Sequence, residues 1–396
     1  MAGRCEDYFK GGETVIGGSA ALRVDLLDED AFAALHCDWA DLLAKSNADP
    51  LFMSWPWLYS WWETWGESLG LELMLLGVYQ TDDQLVGIAP MYRHRIPLSI
   101  GMTVTRVHFL GNAWRVSPTV RTEYVGLVAR SELESDVALA VAAYLKTLTW
   151  DELVIPDSQE EGGGALGRAL AEACRATPVV RSESMGVCID TALPIEPWLA
   201  SLGPNTRRKA FNRRCLFEKQ LGGNWQLCEN NGGSQAAFLD QLNRFHVKRW
   251  EKPCFDDKAC QFHLKLLSRL SDKQRALMSR LVVNGQVVSV LYDIQAGARV
   301  YNLQSGYDEN LNPKLSLGTL HLGYAIEQAF QDPEINQYDL LAGSGKNTFY
   351  KARFNGRQVS FPTVDLVRSP MLRTAYRLRS WLPGGLVSRI NRVFRL

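Results

Sequence analysis

Tyr350 and Lys351 stand side by side near the end of a segment, Met278 to Phe361, that gathers most of the chain's candidate chemistry-bearing residues. A phenol can give its proton to a departing thiolate, and a lysine can orient an anionic group. Packed at an edge strand and in solvent, the same two residues would do neither. Asp339, at the end of the preceding strand, either positions an acceptor or caps the loop that follows. Upstream, Lys314-Leu-Ser-Leu-Gly-Thr leads into a helix, where Lys314, Leu317, Gly318 and Thr319 bring a cation, small residues and backbone N–H groups to a strand-to-helix junction. Such a junction can cradle a phosphate, although an ordinary helix start uses similar residues without a ligand. Arg207 and Arg208 open a basic stretch from about Asn205 to Leu221 that also holds Lys209, Arg213 and Arg214. One side of that helix can pack while the other meets an anionic acceptor, nucleotide or lipid headgroup, faces solvent, or pairs with acidic segments of the same chain.

The elements that must carry these residues follow from pattern. Two alternating apolar runs flank Asn284-Gly285, a pair that tolerates the positive φ of a two-residue turn, so Met278 to Gln295 is a β-hairpin. A further strand, a polar loop, a helix over 318–331 and a strand through Asp339 complete the series. An earlier copy starts with the hairpin from Leu71, which turns at Asp82-Asp83, and continues with a helix over 133–147 and the strand WDELVIP, the counterpart of QYDLLAG. Ser131 is a possible cap for that earlier helix, but no glycine stands at its start, so the first copy reads as degenerate and the second as catalytic. The fold class is therefore mixed α/β: two tandem units, each a mixed central sheet flanked by helices. Unit limits are placed at 20–190 and 191–367, followed by a basic amphipathic tail over 368–396.

A chain of 396 residues, 46% hydrophobic and formally neutral, has enough apolar surface for two cores. Balanced charge argues against whole-protein DNA binding and leaves only local basic patches. Eight cysteines without a Cys-x-x-Cys pair, and six histidines without ligand spacing, predict reduced thiols and no metal. The N-terminus lacks a secretory apolar core and no apolar run is long enough to span a bilayer, so a cytoplasmic protein is expected.

Three other segments invite sharper readings. Phe52 to Gly66 concentrates Trp55, Trp57, Trp61, Trp62 and Trp65 on a helix that starts near Ser54; core packing is the expectation, with a sugar-stacking or membrane-interface platform as the alternative. Gly162 to Gly167 formally matches Gly-x-Gly-x-x-Gly, but the acidic DSQEE before it would repel a pyrophosphate, which leaves a loop. The arginine-rich end from Arg368 could touch an anionic inner-membrane surface weakly or dock on the protein itself.

Taken in order, Phe52-Met-Ser-Trp-Pro-Trp-Leu-x-x-Trp-Trp, Gly87-Ile-Ala-Pro90, the arginine-rich helix, Gly306-Tyr307-Asp308, Leu317-Gly318 and Asp339 through Tyr350-Lys351 resemble the tandem GNAT-fold acetyltransferases of the cellulose-biosynthesis (CelD/BcsL) type. That group has a BioF2-like acetyltransferase domain and is similar in fold to the Fem aminoacyl transferases. The resemblance implies an acetyl-CoA or other acyl-CoA donor, Leu317, Gly318 and Thr319 at the pyrophosphate turn, and Tyr350 and Lys351 near the reacting centre. It implies transfer to an amine or hydroxyl on a small-molecule or saccharide acceptor, in envelope or exopolysaccharide biosynthesis. A Fem-like transferase using charged tRNA and a non-catalytic assembly factor are the alternative readings. Tyr350→Phe is expected to lower the steady-state transfer rate about a hundredfold; an unchanged rate removes Tyr350 from the reaction.

Overall fold

The computed structural model describes residues 13–15, 22–98, 101–159, 163–229, 231–312, 314–343, 351–381, 387, 391, 393 and 394. Contacts divide the chain into two compact units, one of Met1–Glu183 with Pro362–Leu396 and one of Ser184–Phe361. The sequence limit near 190 and the separate tail over 368–396 compare with a second unit that starts at Ser184 and a final segment grouped with the first unit. Leu386 and Ile390, of the expected apolar stripe near the C-terminus, lie outside the described residues.

In chain order the first unit runs β1 (Glu13–Val15), β2 (Leu22–Leu27), α1 (Glu29–Ala34), α2 (His36–Leu43), α3 (Trp55–Trp65), β3 (Glu72–Tyr79), β4 (Leu85–Pro97), β5 (Thr103–Phe109), β6 (Val128–Ala129), α4 (Glu134–Thr147), β7 (Glu152–Ile155) and α5 (Gly164–Cys174). β8 (Thr177–Asp190) leads to α6 (Ile195–Ser201), α7 (Pro204–Arg207), β9 (Asn224–Leu227), α8 (Gly232–Trp250), α9 (Asp257–Arg269), β10 (Gln274–Val283), β11 (Gln286–Ala296), β12 (Arg299–Tyr307), α10 (Leu317–Gln331) and β13 (Gln337–Gly343). β14 (Arg357–Val367) and α11 (Pro370–Trp381) then return to the first unit. Among the described residues no helix is long and apolar enough to cross a membrane.

Local chemistry explains the elements. Asp83 (φ 62°), Asn284 (φ 48°) and Gly285 (φ 76°) turn the two hairpins where the sequence places them. Ser54 accepts a hydrogen bond from the Trp57 N–H to cap α3, and Trp57, Trp61, Trp62 and Trp65 are all buried. The tryptophan helix is therefore core of the first unit, and its buried rings cannot form the stacking or membrane platform of the alternative reading. Leu133, not Ser131, is the residue before α4, and it supplies no side-chain cap. Gly163 and Gly164 both have positive φ, and a Cβ on Gly163 would lie 2.6 Å from Ile155 Cδ1, so packing accounts for glycine there without a dinucleotide.

Both units use one strand scheme, which bears out the mixed α/β expectation. β1 to β5 pair antiparallel, β5 pairs β7 in parallel, and β14 closes antiparallel to β7. In the second unit β9 to β12 are antiparallel, β12 pairs β13 in parallel, and β8 closes antiparallel to β13. Parallel neighbours need a crossover, and α4 and α10 supply it. The rungs Arg106↔Glu152, Val107↔Leu153 and His108↔Val154 correspond to Arg299↔Gln337, Val300↔Tyr338 and Tyr301↔Asp339. WDELVIP and QYDLLAG therefore correspond with a shift: Asp339 stands on the third rung, whereas Asp151 precedes the first.

That first rung differs in charge between the units. Arg299 Nε donates to the neutral Gln337 Oε1 at 2.8 Å. In the first unit Glu152 instead takes Arg106 and Arg115, each at 2.6 Å, and Asp365 takes Arg115 at 3.0 Å and Arg181 at 2.8 Å. The Tyr376 hydroxyl of α11 donates to Asp365 Oδ2 at 2.8 Å, which ties α11 to the network. Desolvation would raise the Glu152 pKa, but Arg115 and Arg106 win and hold it at about 2. Removing one charge from such a set leaves its partners buried and unneutralised, at a cost of about 3–5 kcal/mol. Glu152→Gln is accordingly expected to speed amide exchange in β5 and β7 by two orders of magnitude or more, measured by hydrogen–deuterium exchange; protection like that of the parent would show the network to be dispensable.

Candidate functional site

The second unit builds its candidate site where β12 leaves β13. Their parallel pairing lasts three rungs and ends at Tyr301↔Asp339, while β12 runs on to Tyr307. Register against β11 jumps from Tyr292↔Gln304 to Asp293↔Asn302, so Leu303 is an extra residue in β12, a bulge. Leu303 thus opposes no residue of β11 and lies just past the last β13 rung. Across the gap β13 is itself irregular between Asp339 and Ala342, and Leu341 has a φ of 58°.

Asp339 and Lys351 converge on that residue. The buried Asp339 carboxylate accepts from the Leu341 N–H at 2.7 Å, and Lys351 Nζ donates to the carbonyls of Leu341 at 3.2 Å and Ala342 at 2.9 Å. Both act on the backbone, one on each side of Leu341. Tyr350 lies outside the described residues.

α10 begins at Leu317 after Ser316, which supplies no side-chain cap, and its first turn holds no acidic residue. Leu320 N–H takes the first intrahelical bond, to Ser316 O at 2.9 Å, so the N–H groups of Leu317 and Gly318 point out of the helix end. The Leu317 side chain is buried in a cluster with Phe217, Leu281, Leu320 and Tyr324, which leaves its backbone to face the loop. Gly318 is needed for packing: a Cβ there would lie 2.5 Å from Tyr307 Cε1. Thr319 is buried, and Lys314 is exposed in a turn where Asn312 Oδ1 accepts from its N–H at 2.9 Å.

The basic stretch is helical over 204–221, with π-helical turns at Arg208–Asn212 and Leu216–Gln220. It seats tightly on α10, where a Cβ on Gly323 would meet Ala210 O at 2.3 Å. Much of its charge is engaged within the unit. Arg207 donates to Leu202 O at 3.1 Å, and Arg214 pairs with Glu327 and lies 4.0 Å over the Tyr324 ring. Arg208 bonds Asn205 Oδ1 at 2.9 Å and stays exposed. Lys314, Leu317, Gly318 and Thr319 are thus together at one helix start, Asp339 and Lys351 are together at one strand end, and Arg207 is turned to backbone carbonyls.

Sequence reasoning missed a buried polar layer between α10 and the sheet. His321 bridges Ser279 Oγ at 3.0 Å and Ser289 Oγ at 2.9 Å, and burial pushes its pKa down to about 3. Asp293 accepts from Asn302 Nδ2 at 2.7 Å and from the Tyr338 hydroxyl at 2.6 Å, and burial pushes its pKa up to about 7. The available signal was a lone carboxylate inside the apolar strand SVLYDIQA.

The matching gap in the first unit is furnished differently. Past His108↔Val154, Val125 N–H bonds Asp157 O at 3.3 Å, and Arg121 grips the Asp157 carboxylate through two nitrogens at 2.8 and 2.7 Å. α4 carries Glu134 and Asp136 in its first turn, where they occupy the positive end of the helix dipole.

Residues 205–352 match the family model described as the acetyltransferase (GNAT) domain, so the second unit carries a GNAT-type acyltransferase domain. In fold the chain is similar to the crystal structure of FemX, with a TM-score of 0.59 and 11% identity over 86% of this chain and 98% of that one. It is also similar to the C-terminal domain (DUF2156) of a putative lysylphosphatidylglycerol synthetase from Agrobacterium fabrum, with a TM-score of 0.51 and 8% identity over 88% of this chain and 95% of that one. At these identities the likeness is of fold alone. No curated protein matches the chain in sequence.

Burial gives the second unit a pH signature. His321 and His263 both sit at about 3, below the ordinary 6.5, so the unfolded chain takes up their protons first and stability falls as pH drops from 6.5 towards 3. Asp293 has the opposite sign: its carboxyl at about 7, above the ordinary 3.8, keeps a proton that the unfolded chain loses, so its contribution grows as pH drops from 7 to 4. Between pH 6 and 4 these three groups leave a net loss of about 1.4 kcal/mol per pH unit. Asp293→Asn is expected to steepen that slope roughly twofold, followed by hydrogen exchange of β11 and α10 against pH; parallel slopes would show Asp293 to be ionised in the fold.

Proposed function

We propose that the second unit transfers an acetyl or other acyl group from acyl-CoA to an amine or hydroxyl acceptor of envelope or exopolysaccharide biosynthesis. The observation that carries the donor half is the bulge at Leu303 in the gap between β12 and β13, beside an α10 start free of acidic residues. A backbone N–H aimed into a strand gap can donate to a thioester oxygen as negative charge develops on it. N–H groups at the first turn of α10, with the helix dipole behind them, favour a phosphate, and exposed Lys314 adds a cation.

The acceptor nitrogen or oxygen attacks the carbonyl carbon, the new acyl bond forms, and the carbon–sulfur bond breaks. The thiolate leaves with a proton that we assign to Tyr350, and the proton lost by the acceptor nitrogen or oxygen passes through water to return the tyrosinate to its phenol. Asp339 and Lys351 shape the wall of the gap by holding Leu341, and exposed Arg208 is the arginine with reach for an anionic acceptor. We assign the first unit a scaffold role, because Glu134 and Asp136 oppose a phosphate at the start of α4. The resemblance to cellulose-biosynthesis acetyltransferases supports the saccharide acceptor.

Calorimetric titration of the full chain with acetyl-CoA is expected to show binding, weakened several-fold by Lys314→Glu. Mass spectrometry of saccharide extracts incubated with labelled acetyl-CoA is expected to find a labelled product. Leu303→Pro, which removes the bulge N–H, should lower turnover about a hundredfold while donor affinity changes little. Transfer from charged tRNA with none from acetyl-CoA would replace this reading, and neither transfer nor donor binding would end it.

A further inference from the structure

A cavity of about 410 Å³ opens in the second unit towards the C-terminal half of α10, far from the helix start. Leu317 and Gln328 are separated along α10 by roughly 16 Å at ~1.5 Å of rise per residue, so this cavity is distinct from the proposed donor cradle. Its walls are mainly apolar, from Leu277, Val300, Ala329 and Ile335 with the ring of Trp225. A volume of this size suits a small organic molecule.

The polar groups around it are unequal. Ser279 is engaged with His321, which burial keeps neutral, and Arg275 is held by Gln295 Oε1 at 2.6 Å and Asp332 at 3.1 Å. The Trp225 indole N–H is buried without a partner among the described residues. Asp293 is 2% exposed and lines the cavity. Both of its hydrogen bonds come from neutral donors, Asn302 and Tyr338, and no cation pairs with it among the described residues. Each carboxylate oxygen retains a second lone pair after accepting one bond. Burial holds the carboxyl at about 7, and a cation placed beside it would favour the ionised form.

We propose that this cavity binds a small organic cation, a primary amine on an apolar body, with Asp293 as its counter-ion and the apolar walls covering the rest. This goes beyond the acyl-transfer reading and does not depend on it. Asn302 and Tyr338 flank Leu303 and Asp339 in sequence, so an occupant at Asp293 touches the hydrogen bonds of both strands where they part.

The probes are phenethylamine, 2-phenylethanol and 3-phenylpropanoate, titrated calorimetrically into the full chain with no acyl donor present. The amine is expected to bind at least tenfold more tightly than the alcohol, and the acid more weakly still. Asp293→Asn should remove the preference of amine over alcohol. Ala325→Phe, which fills the cavity from a half-buried position on α10, should abolish binding of the amine in a chain that keeps its far-ultraviolet circular dichroism. If Asp293→Asn does not fold, the Ala325→Phe titration decides. Equal affinity for amine and alcohol, a preference that survives Asp293→Asn, binding that survives Ala325→Phe, or no heat from the amine at millimolar concentration would each overturn the proposal.

Discussion

A β-strand can satisfy neighbours on both edges only while its residues keep count with theirs, and β12 loses count at Leu303. The extra residue breaks register with β11 just where β12 also parts from β13, so one local irregularity leaves backbone groups facing a gap. The rest of the second unit keeps that gap open and shaped. α10 crosses from β12 to β13 and places its N-terminal turn after the loop that leaves the bulged strand. His321 fixes the helix to the sheet through two serine hydroxyls, one on each strand of the β10–β11 hairpin. Asp293, opposite Asn302 at the register shift, receives hydrogen bonds from β12 and β13 together.

Comparing the two units shows which parts of the scheme are scaffold. Strand order, the three parallel rungs, the crossover helix and an arginine on the first rung recur in both. What differs is charge at the gap and helix start. Glu152 and Asp365 collect three arginines in the first unit, whereas Gln337 meets a single arginine in the second. Acidic residues sit in the first turn of α4 and are absent from that of α10. A helix dipole stabilises one anion at its N-terminus, and in the first unit the protein's own side chains take that place. The same strand scheme thereby carries acidic side chains at the crossover-helix start in one copy and none there in the other.

Short-range chemistry was legible in the sequence. Asn284-Gly285 announced its turn, 318–331 its helix, and the alternating strands their hairpins, because each depends on residues a few positions apart. Chain exchange of the closing strands β8 and β14 was hidden, since strands paired across such separations leave no local pattern. Gly318 was legible as a special position but for a different reason: a phosphate cradle and the ring of Tyr307 both ask for glycine, and only the structure shows the ring. Arg207 and Arg214 stand in a basic run in sequence, yet Arg207 caps the C-terminal end of the preceding α6 and Arg214 pairs with Glu327 and packs on Tyr324. Asp293 was passed over because its surroundings in sequence are apolar, and a buried carboxyl becomes informative only when its neighbours in space are known.

Asp339 and Lys351, put forward from sequence for positioning an acceptor and an anionic group, illustrate how role follows from geometry. Leu341 is held with a φ of 58°, a conformation that costs a branched side chain about 1–2 kcal/mol. Relaxation to an extended conformation would remove that cost. The Asp339 carboxylate on its N–H and the Lys351 ammonium on its C=O oppose that relaxation from both sides. Hydrogen bonds to charged groups contribute about 1.5–3 kcal/mol each, enough to offset the strain. Two ionisable side chains are thereby spent on holding the backbone of β13 where it parts from β12.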